Sequence, residues 1–159
     1  AGEVLIGVSG NEDRRGVIVI SDEIMQLFHI DSRVKLMGIN HVATGNIVES
    51  LKQENSFNYR SLGRSQNPTD DTCEDIYQII DGSGKYRWDL YISTKDNFEY
   101  GVHLYLNGEF EKARKIFTEV LRVHENDKVS VKYLMLCDEQ LEKQEKLKNF
   151  EDFFNGCVM

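Results

Sequence analysis

The sequence predicts an α+β chain, and two observations carry this. Up to residue 81 the apolar residues come in short β-branched runs separated by turn residues. From 95 to 148 the chain is highly charged and its apolar residues recur at helical spacing. Asp81-Gly82-Ser83-Gly84 stands between the two parts and is the expected boundary. The expected organisation is therefore a first unit at 1–81, a linker at 82–94, helices at 95–148 and a tail at 149–159.

Glu3 to Ser9 is an apolar run that reads as a strand. Gly10-Asn11-Glu12-Asp13 has turn chemistry, and Val17 to Ile20 is four β-branched residues in a row. A hairpin of two buried strands with a polar tip is expected. Ser21-Asp22 is a helix N-cap signal, with Asp22 also suited to the positive end of the helix. Ile24, Leu27, Phe28 and Val34 continue a helical face toward Gly38. Next come a brief strand at His41-Val42-Ala43, a short helix over 46–52 and a strand over 57–62. Residues 66–72, with the only proline at Pro68, read as a loop, and 75–80 as a last strand.

In the charged part, Phe98, Gly101, Val102 and Tyr105 share one helical face, and Asn107-Gly108 stops that helix. Phe110, Ala113, Phe117, Val120 and Leu121 form the face of the next. Asp127 caps a third helix, along which Tyr133, Leu136, Cys137 and Leu141 lie. Glu142 and Lys146 form an i,i+4 pair on its exposed side.

Bulk properties exclude several classes. The chain has 159 residues, room for one ordinary domain or slightly more, and 40% apolar residues, enough for a core. A net charge of −8 opposes nucleic-acid binding, which needs a basic face, and opposes an anionic membrane surface. No apolar run is long enough to span a bilayer, and residues 1–10 lack the basic start of a signal peptide. Cys73, Cys137 and Cys157 are odd in number and widely spaced, which suggests neither a disulfide framework nor a zinc site, and fits a cytoplasmic, reducing compartment. Cys157 is third from the end, which is not a prenylation box.

Three motifs dissolve on inspection. Gly82-Ser83-Gly84-Lys85 would end a phosphate-binding loop only with Ser or Thr at 86 and Gly at 79, where Tyr86 and Ile79 stand. Asp70-Asp71 with Glu74-Asp75 reads as a solvated acidic loop. His41, His103 and His124 share no ligand spacing with one another or with cysteine. Neither a metal nor a cofactor is expected.

The stretch Val17 to Asp31, VIVISDEIMQLFHID, resembles the strand-turn-helix signature of the class III adenylate/guanylate cyclases. The resemblance covers Val4 to Asp81 and only the C-terminal half of that domain. Val4 to Gly10 and Arg14 to Asp22 resemble the dimer-proximal hairpin leading into the signature helix. Tyr59 to Gly63 and Ile76 to Ile79 resemble the last strands. The resemblance implies a partial ferredoxin-like fold and an active site shared between two domains, with metal-binding Asp residues in an N-terminal half that this sequence does not contain. The opening, an Ala followed almost at once by a strand, suggests a piece of something longer.

The same resemblance places the functional positions. The base-reading position matches Ile18, which offers neither donor nor acceptor. The ribose-holding Asn matches Met25, a weak thioether acceptor. The transition-state Arg matches His29, a poor replacement for a permanent five-donor fork. Loss of one preorganised stabiliser costs about 10²–10³ in rate, and here three are gone. Read without the resemblance, Ile18 is a buried strand residue, Met25 a core filler and His29 a half-exposed surface histidine.

The helical part resembles one tetratricopeptide repeat and the first helix of another. Gly101, Gly108, Ala113 and Phe117 supply the small and large packing positions, and Glu125 stands where the closing Pro would be. A single repeat cannot bury its face alone, so it should pack on the sheet or on a partner.

The expected function is a catalytically silent, cyclase-like module for interaction, dimerisation or scaffolding, with a protein partner or second copy, no nucleotide and no nucleic acid. The alternative is part of an active cyclase completed by a missing half. A third reading keeps a purine pocket without turnover.

Overall fold

The computed structural model describes residues 3–11, 13–21, 24, 27, 28, 30, 31, 34, 35, 37–52, 57–66 and 72–156, without the side chains of 52 and 148–156. It is an α+β structure with two small antiparallel sheets and four helices, besides helical backbone at the described positions from 24 to 35. β1 (Leu5–Gly10) and β2 (Arg15–Ile20) form the expected hairpin, in register from Leu5↔Ile20 to Gly10↔Arg15. Asn11 builds the tip. Its Oδ1 accepts from the backbone N–H groups of Asp13 (3.2 Å) and Arg14 (2.9 Å). Gly10 has φ 133°, and a Cβ there would lie 1.9 Å from the Arg14 carbonyl oxygen, so only glycine fits.

The second sheet has the order β3-β5-β4, with β3 Val42–Thr44, β4 Tyr59–Gln66 and β5 Cys73–Ile79, all antiparallel. The helix α1 (Gly45–Lys52) follows β3 and buries Val48. β4 carries an irregularity between Ser61 and Arg64, where Gly63 takes φ 90°. A Cβ on Gly63 would lie 2.7 Å from the Tyr133 hydroxyl, which itself donates to the Leu62 carbonyl at 2.7 Å. The bulge is where the helical part docks on the strand.

Three helices follow: α2 (Lys85–Leu106), α3 (Phe110–Val123) and α4 (Lys128–Gly156). Asn107-Gly108 ends α2 as expected, with Gly108 at φ 78° and its N–H donating to the Tyr105 carbonyl (3.0 Å). The apolar faces of α2 and α3 meet. Phe98, Val102, Ala113, Phe117 and Val120 are buried together with Ile39, Val129 and Cys137. Phe98 meets Phe117 edge-on at 5.8 Å, and Phe117 stacks on Tyr133 of α4 at 4.9 Å. Gly101 brings the helices close: a Cβ there would sit 3.0 Å from the Phe117 ring.

Some expectations change. Residues 85–94, expected as linker, are the first turns of α2. Their aromatic and β-branched residues hide the helical period, but Trp88, Tyr91 and Thr94 turn one face inward. The Trp88 indole donates to Asp81 (2.9 Å), and Asp81 also accepts from the Asn58 backbone (2.6 Å), which stitches the start of α2 to the sheet. α4 continues past 148 to Gly156. The strand after α1 runs to Gln66, and residues 67–71, including Pro68, Asp70 and Asp71, lie outside the described residues. The largest change is in the hairpin, whose strands form but are exposed and not buried.

Candidate functional site

In an antiparallel pair, directly opposite residues project to the same face. The register therefore gives β1–β2 two faces. One carries Ile6, Val8, Val17 and Val19, and the other carries Leu5, Ile18 and Ile20 around Gly7. Both are apolar and both are exposed: Leu5 is 74% accessible, Val8 71% and Ile18 45%. Apolar residues on both faces are the pattern of strands covered on both sides. Among the described residues β1 and β2 pair only with each other, and a lone two-stranded ribbon is marginal in water. The hairpin thus presents two uncovered apolar faces among the described residues.

Ile18, expected at the base-reading position from the cyclase resemblance alone, lies within this hairpin, opposite Gly7. It is half-exposed, which corrects the expectation of a buried strand residue. Met25, His29 and the capping Asp22 lie outside the described residues. Among the described residues no group of three His, Cys, Asp or Glu side chains is placed to hold a metal. Glu74 and Asp75, expected in an acidic loop, instead lie in β5, where Asp75 pairs with Arg64 of β4 at 3.2 Å.

Sequence reasoning missed a polar centre beneath the helices. Arg60 of β4 is fully buried. Its two Nη groups donate to Asp127 Oδ2 (2.7 Å) and Oδ1 (2.8 Å), and its Nε donates to Gln78 Oε1 of β5 (2.8 Å). The guanidinium lies 4.0 Å from the Phe98 ring centre and 4.5 Å from that of Tyr91. Asp127 caps α4 as expected, accepting from the Val129 N–H (3.2 Å) and the Ser130 hydroxyl (2.8 Å). Burial pushes the Asp127 carboxyl up. The bonds and charge of Arg60, with Ser130 and His124, outweigh that and hold it below its ordinary value. With its partners supplied, the centre is a clamp between sheet and helices and not a reactive group.

His124, at the end of α3, packs edge-on to Tyr91 at 4.8 Å, and burial lowers its pKa. Cys137 is buried, its thiol pushed up to about 11 by that burial, so it is an inert core residue. The sequence signal for the clamp was half present. Asp127 was legible as a cap, but its partner stands 67 residues away.

No protein-family model matches the chain, and neither the curated proteins nor the solved structures include a significant match. No helix among the described residues is long and apolar enough to cross a membrane.

Proposed function

We propose that this chain is an interaction module: a catalytically silent, cyclase-like scaffold of partial ferredoxin-like type with a tetratricopeptide-like extension, joined to a protein partner or a second copy through β1–β2. The exposed hairpin carries this reading. Seven large apolar side chains of the hairpin, Leu5, Ile6, Val8, Val17, Ile18, Val19 and Ile20, are exposed, as is Val4 just before it. Covering a fully exposed side chain of this size contributes about 1.5–3 kcal/mol, and among the described residues neither outer strand edge is paired with a further strand.

The cyclase-like part of the proposal is supported by the sequence around Val17 to Asp31 and by the aliphatic Ile18. An active cyclase subunit would need a hydrogen-bonding side chain at that position, so the silent reading is preferred. A cytoplasmic setting is supported by three cysteines without a pairing pattern.

Sedimentation of the purified chain at low micromolar concentration tests the interaction reading. Self-association or co-sedimentation with a partner is expected, despite a net charge of −8 that favours solubility. The double variant Val8→Lys/Val17→Lys, on one face of the hairpin, should shift the chain toward monomer. A monomeric parent chain whose hairpin amides exchange as slowly as those of a protected core would overturn the proposal.

A further inference from the structure

A cavity of about 530 Å³ opens between the first turns of α2, the α3–α4 turn and Gly38. Arg87, Arg122 and Lys128 line it, with Glu125 the one carboxylate on its wall among the described residues. None of the three cations has an ion-pair partner among the described residues. In a chain of net charge −8, three unneutralised cations around one concavity oppose the overall field.

Further features belong to the same wall. His124 is 3% exposed, and its buried Nδ1 has no hydrogen-bond partner among the described residues. A buried polar atom left in that state is costly unless something supplies the bond. Gly38, at φ 66°, leaves room for Lys128 to lie across it; a Cβ there would meet Lys128 Cδ at 2.9 Å. The first turn of α2 carries no acidic residue, and Gly84 gives it no side-chain cap.

We propose that this cavity binds an organic phosphate monoester. Three cations against one carboxylate leave two positive charges, which match a phosphate near its dianion. Arginine forks suit phosphate geometry. The volume far exceeds a bare phosphate and lies within the range of small-molecule sites. Tyr86, Leu90 and Met37 offer an apolar wall for the organic group. The proposal is independent of the hairpin interaction.

Calorimetric titration of the full chain with inorganic phosphate and with phenyl phosphate, at constant ionic strength, tests it. One saturable site per chain is expected, with phenyl phosphate bound more tightly. Arg87→Gln and Arg122→Gln should each weaken binding by about tenfold or more, as loss of a charge-assisted bond would. Lys143→Gln, on the exposed far part of α4, should leave it unchanged. Both arginines are exposed, so thermal melting without phosphate should match the parent chain. The ring resonances of His124 should move on titration. Absence of saturation, equal binding of the two probes, binding indifferent to both arginine variants, or movement confined to other histidines would each overturn the assignment.

Discussion

Arg60 is a cation without solvent, and its stability rests on a complete set of partners. Removing one partner of such a pair leaves a buried charge unmatched and costs about 3–5 kcal/mol. Arg60→Met and Asp127→Asn should therefore each lower the chemical-denaturation midpoint strongly. The double variant Arg60→Met/Asp127→Leu should recover much of that loss, because two apolar groups need no desolvation. Near-neutral single variants beside a full loss in the double variant would show that the cap on α4, and not the ion pair, dominates.

His124 makes a second residue-scale prediction. Burial lowers its folded pKa below the ordinary 6.5, so it is neutral in the fold. The unfolded chain takes up the proton first as pH falls. Stability is thus fully present above about pH 6.5 and declines below it, toward the folded pKa. Asp127 adds the same sign at lower pH. Its folded pKa lies below the ordinary 3.8, and its contribution is lost as pH falls through that folded value. The melting temperature should drop between about pH 7 and about pH 5, and His124→Phe should flatten that slope. An unchanged slope in the variant would assign the pH dependence elsewhere.

At the scale of elements, α2 and α3 work as one packed hairpin. Phe117 is fully buried between Phe98 and Tyr133. Phe117→Ala should cost about 3–5 kcal/mol in denaturant titration. Gly101→Ala should cost about 1–3 kcal/mol by overpacking against the same ring. A near-neutral result for both would mean that the two helices can slide apart. This hairpin was legible in advance because Phe98, Gly101, Val102, Ala113 and Phe117 repeat at helical spacing. The first turns of α2 were not, because Trp88 and Tyr91 owe their helical state to Asp81, Arg60 and His124, which lie on other elements.

At the scale of the whole molecule, the proposed silent reading, with aliphatic Ile18 at the position the cyclase resemblance assigns to base reading, predicts no nucleotide turnover. Incubation with ATP or GTP and Mn²⁺ should give cyclic product no faster than a protein-free blank. Turnover above that blank would overturn the silent reading. Packing divides the molecule differently from its sequence. The helices pack on the β3-β5-β4 sheet through Arg60, Leu62 and Gly63.

By itself the sequence determined the local states of this protein: the hairpin with its Gly10-Asn11 tip, the short strands, the stop at Asn107-Gly108 and the cap at Asp127. Each is set by residues within a few positions of one another, through turn chemistry, β-branching or helical period. Only the tertiary structure decided which apolar runs are covered. Val17 to Ile20 and the buried helix faces look alike as sequence, yet one is exposed and the others are core. The same holds for Arg60, which strand periodicity cannot distinguish from a surface arginine. Burial and long-range pairing depend on what the fold brings alongside, and no local pattern carries that information.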